Sequence, residues 1–291
     1  MVSVSDLLDY AMRFLCVRGI ENPKHEAELL LSHLLNCSRL ALYLNRRIAI
    51  SKSVAYQFFQ WLRRRAMREP LQYILGEVEF FNVRLKVDSR VLIPRSETEM
   101  LVEWLVEKGV PTLVNRRRKN EMNLRILDLG TGSGAIAIAL AKYFPLSSIV
   151  AVDRSFNALD VAQENATLNH VSHVRFLQSD WFISLHEYSC NRFDIIVANP
   201  PYLTRQEFEE AQDEIKNYEP ELSLVSEDNG LRDIRYILNG APLFLEEGGF
   251  VVLEVGMGHA TVLQNEYGKV FRRVEIFQDL LKCDRFFIAY R

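Results

Sequence analysis

Apolar residues change their spacing along this chain, and the changes divide it. From Leu7 to about residue 75 they recur three and four positions apart: Leu7, Leu8, Ala11, Phe14 and Leu15, then Leu30, Leu31, Leu34 and Leu35, then Val54, Phe58, Phe59 and Leu62. Each set is one face of a helix. Asn22-Pro23 opens the second as a cap followed by proline in the first turn, and the third ends near Glu69-Pro70. No alternating stretch interrupts them, so residues 1–75 are expected to form a small all-helical bundle. Around Gly76 the period shortens. Phe80, Val83, Leu85 and Val87, followed by Val91, Leu92 and Ile93, predict two short strands with a turn at Asp88-Ser89, a β-hairpin linker over residues 76–95. Ser96-Glu97-Thr98-Glu99 then has the spacing of a capping box. The helix it opens runs through Met100, Leu101, Leu105 and Val106 and is expected to stop near Gly109.

From Leu124 onward strand-like and helix-like runs alternate. Strands are predicted at residues 125–129, 149–153, 174–178, 194–198 and 250–255, with helices between them at 135–143, 158–168 and 231–244. Two more strands, at 270–277 and 285–290, close the chain. Such alternation predicts an α/β domain over residues 96–291: a doubly wound, mostly parallel sheet with helices on both faces.

The remaining composition narrows the classes of function. A length of 291 residues suits about two domains, and 48% hydrophobic with 25% charged residues suits a full buried core. No run approaches the roughly 18 apolar residues of a membrane span. Asp6 and Asp9 interrupt the first apolar stretch, unlike a secretory leader. Cys16, Cys37, Cys190 and Cys283 are scattered without a Cys-x-x-Cys spacing, which reads as reduced thiols in a cytoplasmic protein. A formal net charge of −3 speaks against a long nucleic acid as main partner. His170 and His173 have no cysteine or carboxylate set beside them, so no metal is expected.

Candidate chemistry sits at two strand ends. Asp128-Leu129-Gly130-Thr131-Gly132-Ser133-Gly134 joins the first α/β strand to the helix at Ala135. Glycines there allow a tight turn and close approach of a ligand, and N–H groups at the helix start favour a negatively charged ligand group. The loop points to a nucleoside cofactor and does not by itself separate a nicotinamide from a sulfonium donor. Asp153, at the end of the next strand, has the spacing of an acid that accepts from both ribose hydroxyls; it also fits an acid at the helix start before Ser155. Asp180-Trp181 follows the third strand. There Asp180 suits an exocyclic amine and Trp181 a stacked base, although a tryptophan after a strand also suits a core.

The second strand end carries Asn199-Pro200-Pro201-Tyr202. Two prolines fix φ and hold the residues before them out of helix, so the Asn199 side chain and the Pro200 carbonyl stand on a stiff turn. Both accept hydrogen bonds and suit the two N–H bonds of a primary amide or exocyclic amine, with Tyr202 as a flat apolar face. An amide nitrogen is a poor nucleophile. Acceptors on both N–H bonds aim its lone pair and stabilise the positive charge that grows on it, and in-line placement is worth about 7–11 kcal/mol.

With these residues in view, the chain resembles the class I (Rossmann-like) methyltransferases, and more closely the peptide chain release factor glutamine methyltransferases of the PrmC/HemK family. The likeness rests on the helical N-terminal region, Glu69-Pro-Leu-Gln-Tyr-Ile-Leu-Gly76, Glu79-Phe-Phe, Val91-Leu-Ile-Pro-Arg95 with Glu97-Thr-Glu99, residues 128–134, Asp180-Trp-Phe182 and residues 199–202. It implies methylation, from S-adenosylmethionine, of the side-chain nitrogen N5 of the glutamine in the Gly-Gly-Gln motif of class I release factors. By resemblance, residues 130–134 with Asp153, Asp180, Trp181 and Asn199 bind the cofactor; Asn199, Pro200, Pro201 and Tyr202 hold the glutamine; and the helical domain docks the release factor. The enzyme is expected to be a monomer without stable nucleic acid binding. The chain departs from the family pattern at Ser96, where proline is usual, and near Lys282-Cys283, where a glycine is usual.

Other readings compete. An adenine-N6 DNA methyltransferase shares the Asn-Pro-Pro-Tyr loop but needs a basic groove or recognition domain. Another glutamine-bearing translation protein could be the substrate. A non-catalytic nucleotide-binding module would break the loop, which is intact, and a nicotinamide oxidoreductase would need an acid or base there. Of two basic clusters, Arg63-Arg64-Arg65 with Arg68 is placed to border the release-factor surface, whereas Arg116-Arg117-Arg118-Lys119 reads as solvated loop. Glu254, in the last parallel strand, reads as structural.

Overall fold

The computed structural model describes residues 2–117, 124–187 and 192–291. The chain divides into two units: residues 1–76 with 212–218, and residues 77–211 with 219–291.

The first unit is helical. Its helices are α1 (Val4–Cys16), α2 (Pro23–Leu34), α3 (Arg39–Leu44), α4 (Lys52–Ala66) and α5 (Leu71–Leu75). Leu7, Leu15, Leu30, Leu31, Phe58 and Leu62 form its core. The six-residue α3 is too short to show a period and has no counterpart in the sequence pattern. Asn22 takes the cap position of α2 without a side-chain hydrogen bond, and Pro23 occupies the first turn. The basic cluster on α4 departs from its expected surface role. Arg65 is buried and held by Glu26 and, at 3.0 Å, by Glu214. Arg64 pairs with Glu69, and Arg68 with Glu214 at 3.1 Å. Glu214 belongs to the excursion over residues 212–218, which also brings the Tyr218 hydroxyl to the Met67 carbonyl at 2.7 Å. The cluster is thus largely neutralised inside its own unit.

The second unit opens with the hairpin β1 (Glu77–Phe80) and β2 (Val83–Lys86), whose turn is Phe81-Asn82 and not Asp88-Ser89. Phe81 and Asn82 both have positive φ, +37° and +63°, as a two-residue hairpin turn matched to the strand twist requires. Two asparagines of α9 (Phe156–Leu168) and its cap fix the register from a distance. Asn165 accepts from Lys86 N–H at 2.6 Å and donates to the Lys86 carbonyl, and Asn169 does the same for Arg84. Residues 91–93 form no strand. Val91 and Ile93 are buried, and Ile93 N–H donates to the Glu219 carboxylate.

The capping box does not form. Ser96 is the first residue of α6 (Ser96–Trp104), Arg95 is the cap without a side-chain bond, and Glu99 instead accepts from Phe81 N–H at 3.2 Å. Nor does the helix stop at Gly109. One π turn (Leu105–Gly109) leads into α7 (Val110–Arg117), and Gly109 is there for packing, since a Cβ would lie 2.8 Å from the Trp104 ring. The basic run from Arg116 reaches residues 118 and 119, which with Cys190 lie outside the described residues.

The sheet strands are β3 (Arg125–Leu129), β4 (Ser148–Asp153), β5 (Val174–Gln178), β6 (Phe193–Ala198), β7 (Leu245–Glu254), β8 (Arg273–Gln278) and β9 (Asp284–Tyr290), in the order β5-β4-β3-β6-β7-β9-β8. The first five are parallel, and β9 pairs antiparallel with β7 and β8. Along β3, β6 and β7 alternate residues enter two apolar layers: Ile126, Ile195 and Phe250 in one, Leu127, Ile196 and Val251 in the other. Helices α6, α7 and α8 (Ala135–Tyr143) cover the first layer; α13 (Arg232–Phe244) and α14 (His259–Tyr267) cover the second. The short α10 (Arg205–Glu210), α11 (Asp213–Tyr218) and α12 (Glu227–Gly230) lie between β6 and α13 in the chain. Strand order reverses between β3 and β6, which are in register at Leu129 and Ala198. The loops after these strands therefore leave the sheet side by side, at the switch point where open α/β sheets bind ligands.

Candidate active site

The loop after β3 is held mainly by the neighbouring strand β4. Gly130, Gly132 and Gly134 have φ of +72°, +55° and +82°, values that cost other residues strain. A Cβ at Gly132 would meet no protein atom, whereas one at Gly134 would lie 2.8 Å from Ile138 and 3.2 Å from Ala162. The third glycine therefore serves helix packing, not ligand contact. Gly130 and Thr131 N–H donate to the Val152 carbonyl, Gly134 N–H to the Thr131 carbonyl, and Gly132 N–H to Asp153 Oδ2 at 2.8 Å. Four of the loop amides are thus turned inward, fewer than expected being left for an anionic ligand. Beneath the loop, Thr131 Oγ1 donates to fully buried Asp128 at 2.6 Å. Loss of solvent pushes the Asp128 carboxyl up to about 7, against the pull of Thr131 and Ala137 N–H.

Asp153 accepts from Gly132 through one oxygen and from Ser155 N–H, at 2.8 Å, through the other. Burial raises its pKa, and these backbone donors oppose the rise. A carboxylate has about four acceptor sites, so beside these donors and Arg154 N–H it keeps acceptor capacity, and the helix-start role and the ligand role are compatible. Trp181, itself at φ +50°, lies against Gly130 and donates Nε1–H to Asp233 at 3.2 Å; Asp233 also accepts from Ser226.

These groups wall a cavity of about 180 Å³. Of the residues singled out in the sequence, Gly130, Thr131, Gly132, Ser133, Asp153, Asp180, Trp181, Asn199 and Pro201 line it; Gly134, Pro200 and Tyr202 do not. Pro200 is buried, and Tyr202 turns its hydroxyl to Glu254 at 3.1 Å. Burial, reinforced by the Glu254 charge, holds that hydroxyl well above the ordinary tyrosine range. Asn199 Nδ2 donates to Thr98 Oγ1 at 3.0 Å, and Thr98 Oγ1 donates to Glu254 at 2.7 Å. A Cβ at Gly230 would lie 2.1 Å from the Tyr202 carbonyl, so only glycine lets that loop back the tyrosine.

Sequence reasoning missed several of these groups. Thr98 was concealed inside a capping pattern. Glu254 carried a signal, an acid directly after the apolar run 250–253 in the strand beside the Asn-Pro-Pro-Tyr strand. Asp233 and the wall residue Arg90 carried none, while Val91, Leu92, Pro94 and Arg95 stood in a stretch shared with the family that had no role assigned. Among the described residues no cluster of His, Cys, Asp and Glu suits a metal ion, and no helix is long and apolar enough to cross a membrane.

Comparison with known proteins finds two family models in the chain. Residues 6–76 match the family model described as PrmC N-terminal domain, and residues 98–217 the methyltransferase small domain. The chain is 38% identical over 266 residues to the release factor glutamine methyltransferase of Buchnera aphidicola subsp. Schizaphis graminum, covering 91% of each chain. It is 38% identical over 285 residues to that of Chlorobaculum tepidum, covering 97% of this chain and 95% of the relative. The N-terminal domain of human METTL16, solved in complex with SAH, shares the fold, with a TM-score of 0.53 at 16% identity over 89% of this chain and 93% of that one.

Proposed function

The chain belongs to the release factor glutamine methyltransferase family, and from that premise we propose that it methylates the side-chain nitrogen N5 of the glutamine in the Gly-Gly-Gln motif of class I peptide chain release factors. The observation that carries the reading is the direction of the Asn199 amide. Nδ2 is engaged by Thr98, which leaves Oδ1 as an acceptor for an incoming N–H.

S-adenosylmethionine, when bound, supplies an electrophilic methyl group on a sulfonium sulfur. The cavity residues fit it. Asp153 keeps acceptor capacity for ribose hydroxyls, Trp181 and Asp180 flank the place of a base, and Gly130 and Gly132 let a ligand approach the backbone. On the substrate side, Asn199 Oδ1 and the Pro200 carbonyl accept the two N–H bonds of the glutamine amide, and Tyr202 offers its ring. These acceptors aim the nitrogen lone pair and stabilise the charge that develops on it. No strong base is required, because the methylated nitrogen loses its proton after transfer. The helical region over residues 1–75 would dock the release factor, and the enzyme would act as a cytoplasmic monomer without stable nucleic acid binding.

The test is incubation of methyl-labelled S-adenosylmethionine with purified release factors, duplex DNA and ribosomal proteins, followed by mass-spectrometric mapping. Label confined to the Gly-Gly-Gln glutamine is expected. Label on adenine, or on another protein's glutamine alone, would overturn the reading.

A further inference from the structure

The Asn199 cradle works in only one of two orientations, and shape does not choose between them. An amide's oxygen and nitrogen ends are nearly the same size; only hydrogen-bond partners tell them apart. Here the partner is Thr98 Oγ1, itself able to donate or accept. What removes that freedom is Glu254.

Glu254 ends β7 and is 1% exposed. Its Oε2 accepts from Thr98 Oγ1 at 2.7 Å and its Oε1 from the Tyr202 hydroxyl at 3.1 Å. A carboxylate only accepts, so both hydroxyl protons point at it. Thr98 has one hydroxyl proton. Once that is committed to Glu254, Thr98 faces Asn199 with lone pairs alone. Only Nδ2–H can meet them at 3.0 Å; Oδ1 in its place would set lone pair against lone pair. Burial raises the Glu254 pKa; the hydroxyl donors Thr98 and Tyr202, and then Arg285, which is fixed by the Val255 carbonyl and Asp279, oppose the rise and favour the accepting carboxylate.

We propose that Glu254 is a positioning residue for methyl transfer: through Thr98 it sets which end of the Asn199 amide faces the glutamine, and through Tyr202 it anchors the ring beside it. This rests on the proposed function and deepens it. Glu254 touches neither glutamine nor methyl donor. It acts by ordering the protons of a three-residue relay that begins at Glu254 on β7, passes through Thr98 on α6 and ends at Asn199 in the loop after β6.

The isosteric change Glu254→Gln tests the relay, since a glutamine must donate as well as accept. Where its Nε2 faces Thr98, the threonine proton is freed toward Asn199, and the amide turns its oxygen inward. Single-turnover rate, KM for the release factor and affinity for S-adenosylhomocysteine are measured for Glu254→Gln, Thr98→Val and Thr98→Ser. Glu254→Gln and Thr98→Val should lower the turnover rate by about tenfold or more, with KM and cofactor-product affinity within about threefold of wild type. Thr98→Ser keeps the hydroxyl and should restore the rate to within about threefold. The double variant Glu254→Gln/Thr98→Val should be no slower than the worse single one, as members of one relay are not additive. Should Glu254→Gln fail to fold, the Thr98 pair decides alone.

Folded variants that turn over at the wild-type rate would overturn the proposal, as would a Thr98→Ser variant as slow as Thr98→Val. A wild-type enzyme that leaves release factors unmethylated would instead overturn the functional reading beneath it.

Discussion

Residues 130–134 and 199–202 follow adjacent central strands at the same end of the sheet, yet the first loop is held mainly by the next strand, β4, and the second by side chains from much farther along the chain. Four amides of the glycine loop find partners on Val152, Thr131 and Asp153. The Asn-Pro-Pro-Tyr loop depends on Thr98, 101 residues from Asn199, and on Glu254, 52 residues from Tyr202. A turn pinned to the adjacent strand suits a site that must be present before any ligand arrives. A cradle oriented by remote side chains can be altered without disturbing the cofactor loop, so binding and turnover should be separable by mutation.

The largest effect expected from that contrast is at Asn199. Asn199→Ala should lower single-turnover methylation by about 2.7–4 kcal/mol, roughly 10²–10³-fold, while calorimetry with S-adenosylhomocysteine shows only a modest loss of affinity. A wild-type rate would remove the cradle from the mechanism. Asp153→Ala should behave in the opposite sense, weakening S-adenosylhomocysteine binding by about 1.5–3 kcal/mol as charge-assisted hydrogen bonds are lost; an unchanged affinity would take Asp153 out of the site.

The glycine loop should also carry a pH signature. Asp128, with its pKa raised to about 7 in the folded chain from an ordinary 3.8, binds its proton more tightly folded than unfolded. Stability is therefore greatest below the unfolded value, falls as pH rises toward 7, and levels off above it. Between pH 5 and 6.5 urea denaturation should show wild type losing about 1–2 kcal/mol relative to Asp128→Asn. A difference that does not vary with pH would mean that Asp128 is ionised throughout.

The smallest effect belongs to a position outside both loops. Lys282 sits at φ +61° in the turn between β8 and β9, near where the family usually carries glycine. Lys282→Gly should relieve left-handed strain and raise stability by about 0.5 kcal/mol net of the added freedom of the unfolded chain, read as a small rise in Tm with methylation unchanged. A fall in Tm would show that the lysine contributes more than its backbone costs.

These contrasts also explain what was legible in the sequence. The strands of the sheet and both loops announce themselves locally, through apolar runs, three glycines in five residues, and a Pro-Pro turn. What stayed hidden was decided by distant partners. Asp88-Ser89 is a stronger turn signal than Phe81-Asn82, but Asn165 and Asn169 clasp β2 and fix the hairpin elsewhere. Glu99 completes a capping pattern, but Phe81 N–H claims it. Thr98 and Glu254 look ordinary until the fold sets them against Asn199 and Tyr202. Local spacing shows where a loop is; it does not show which way its side chains are made to face.

The excursion of residues 212–218 bears on how such enzymes can be recombined. A chimera that takes residues 1–76 from a relative would inherit a foreign counterpart of α4 while keeping the resident Glu214. Arg65 would then have to be matched from two separate stretches of chain. The helical module is discontinuous in the gene, and exchanging it intact takes two grafts, the second lying only ten residues beyond Tyr202.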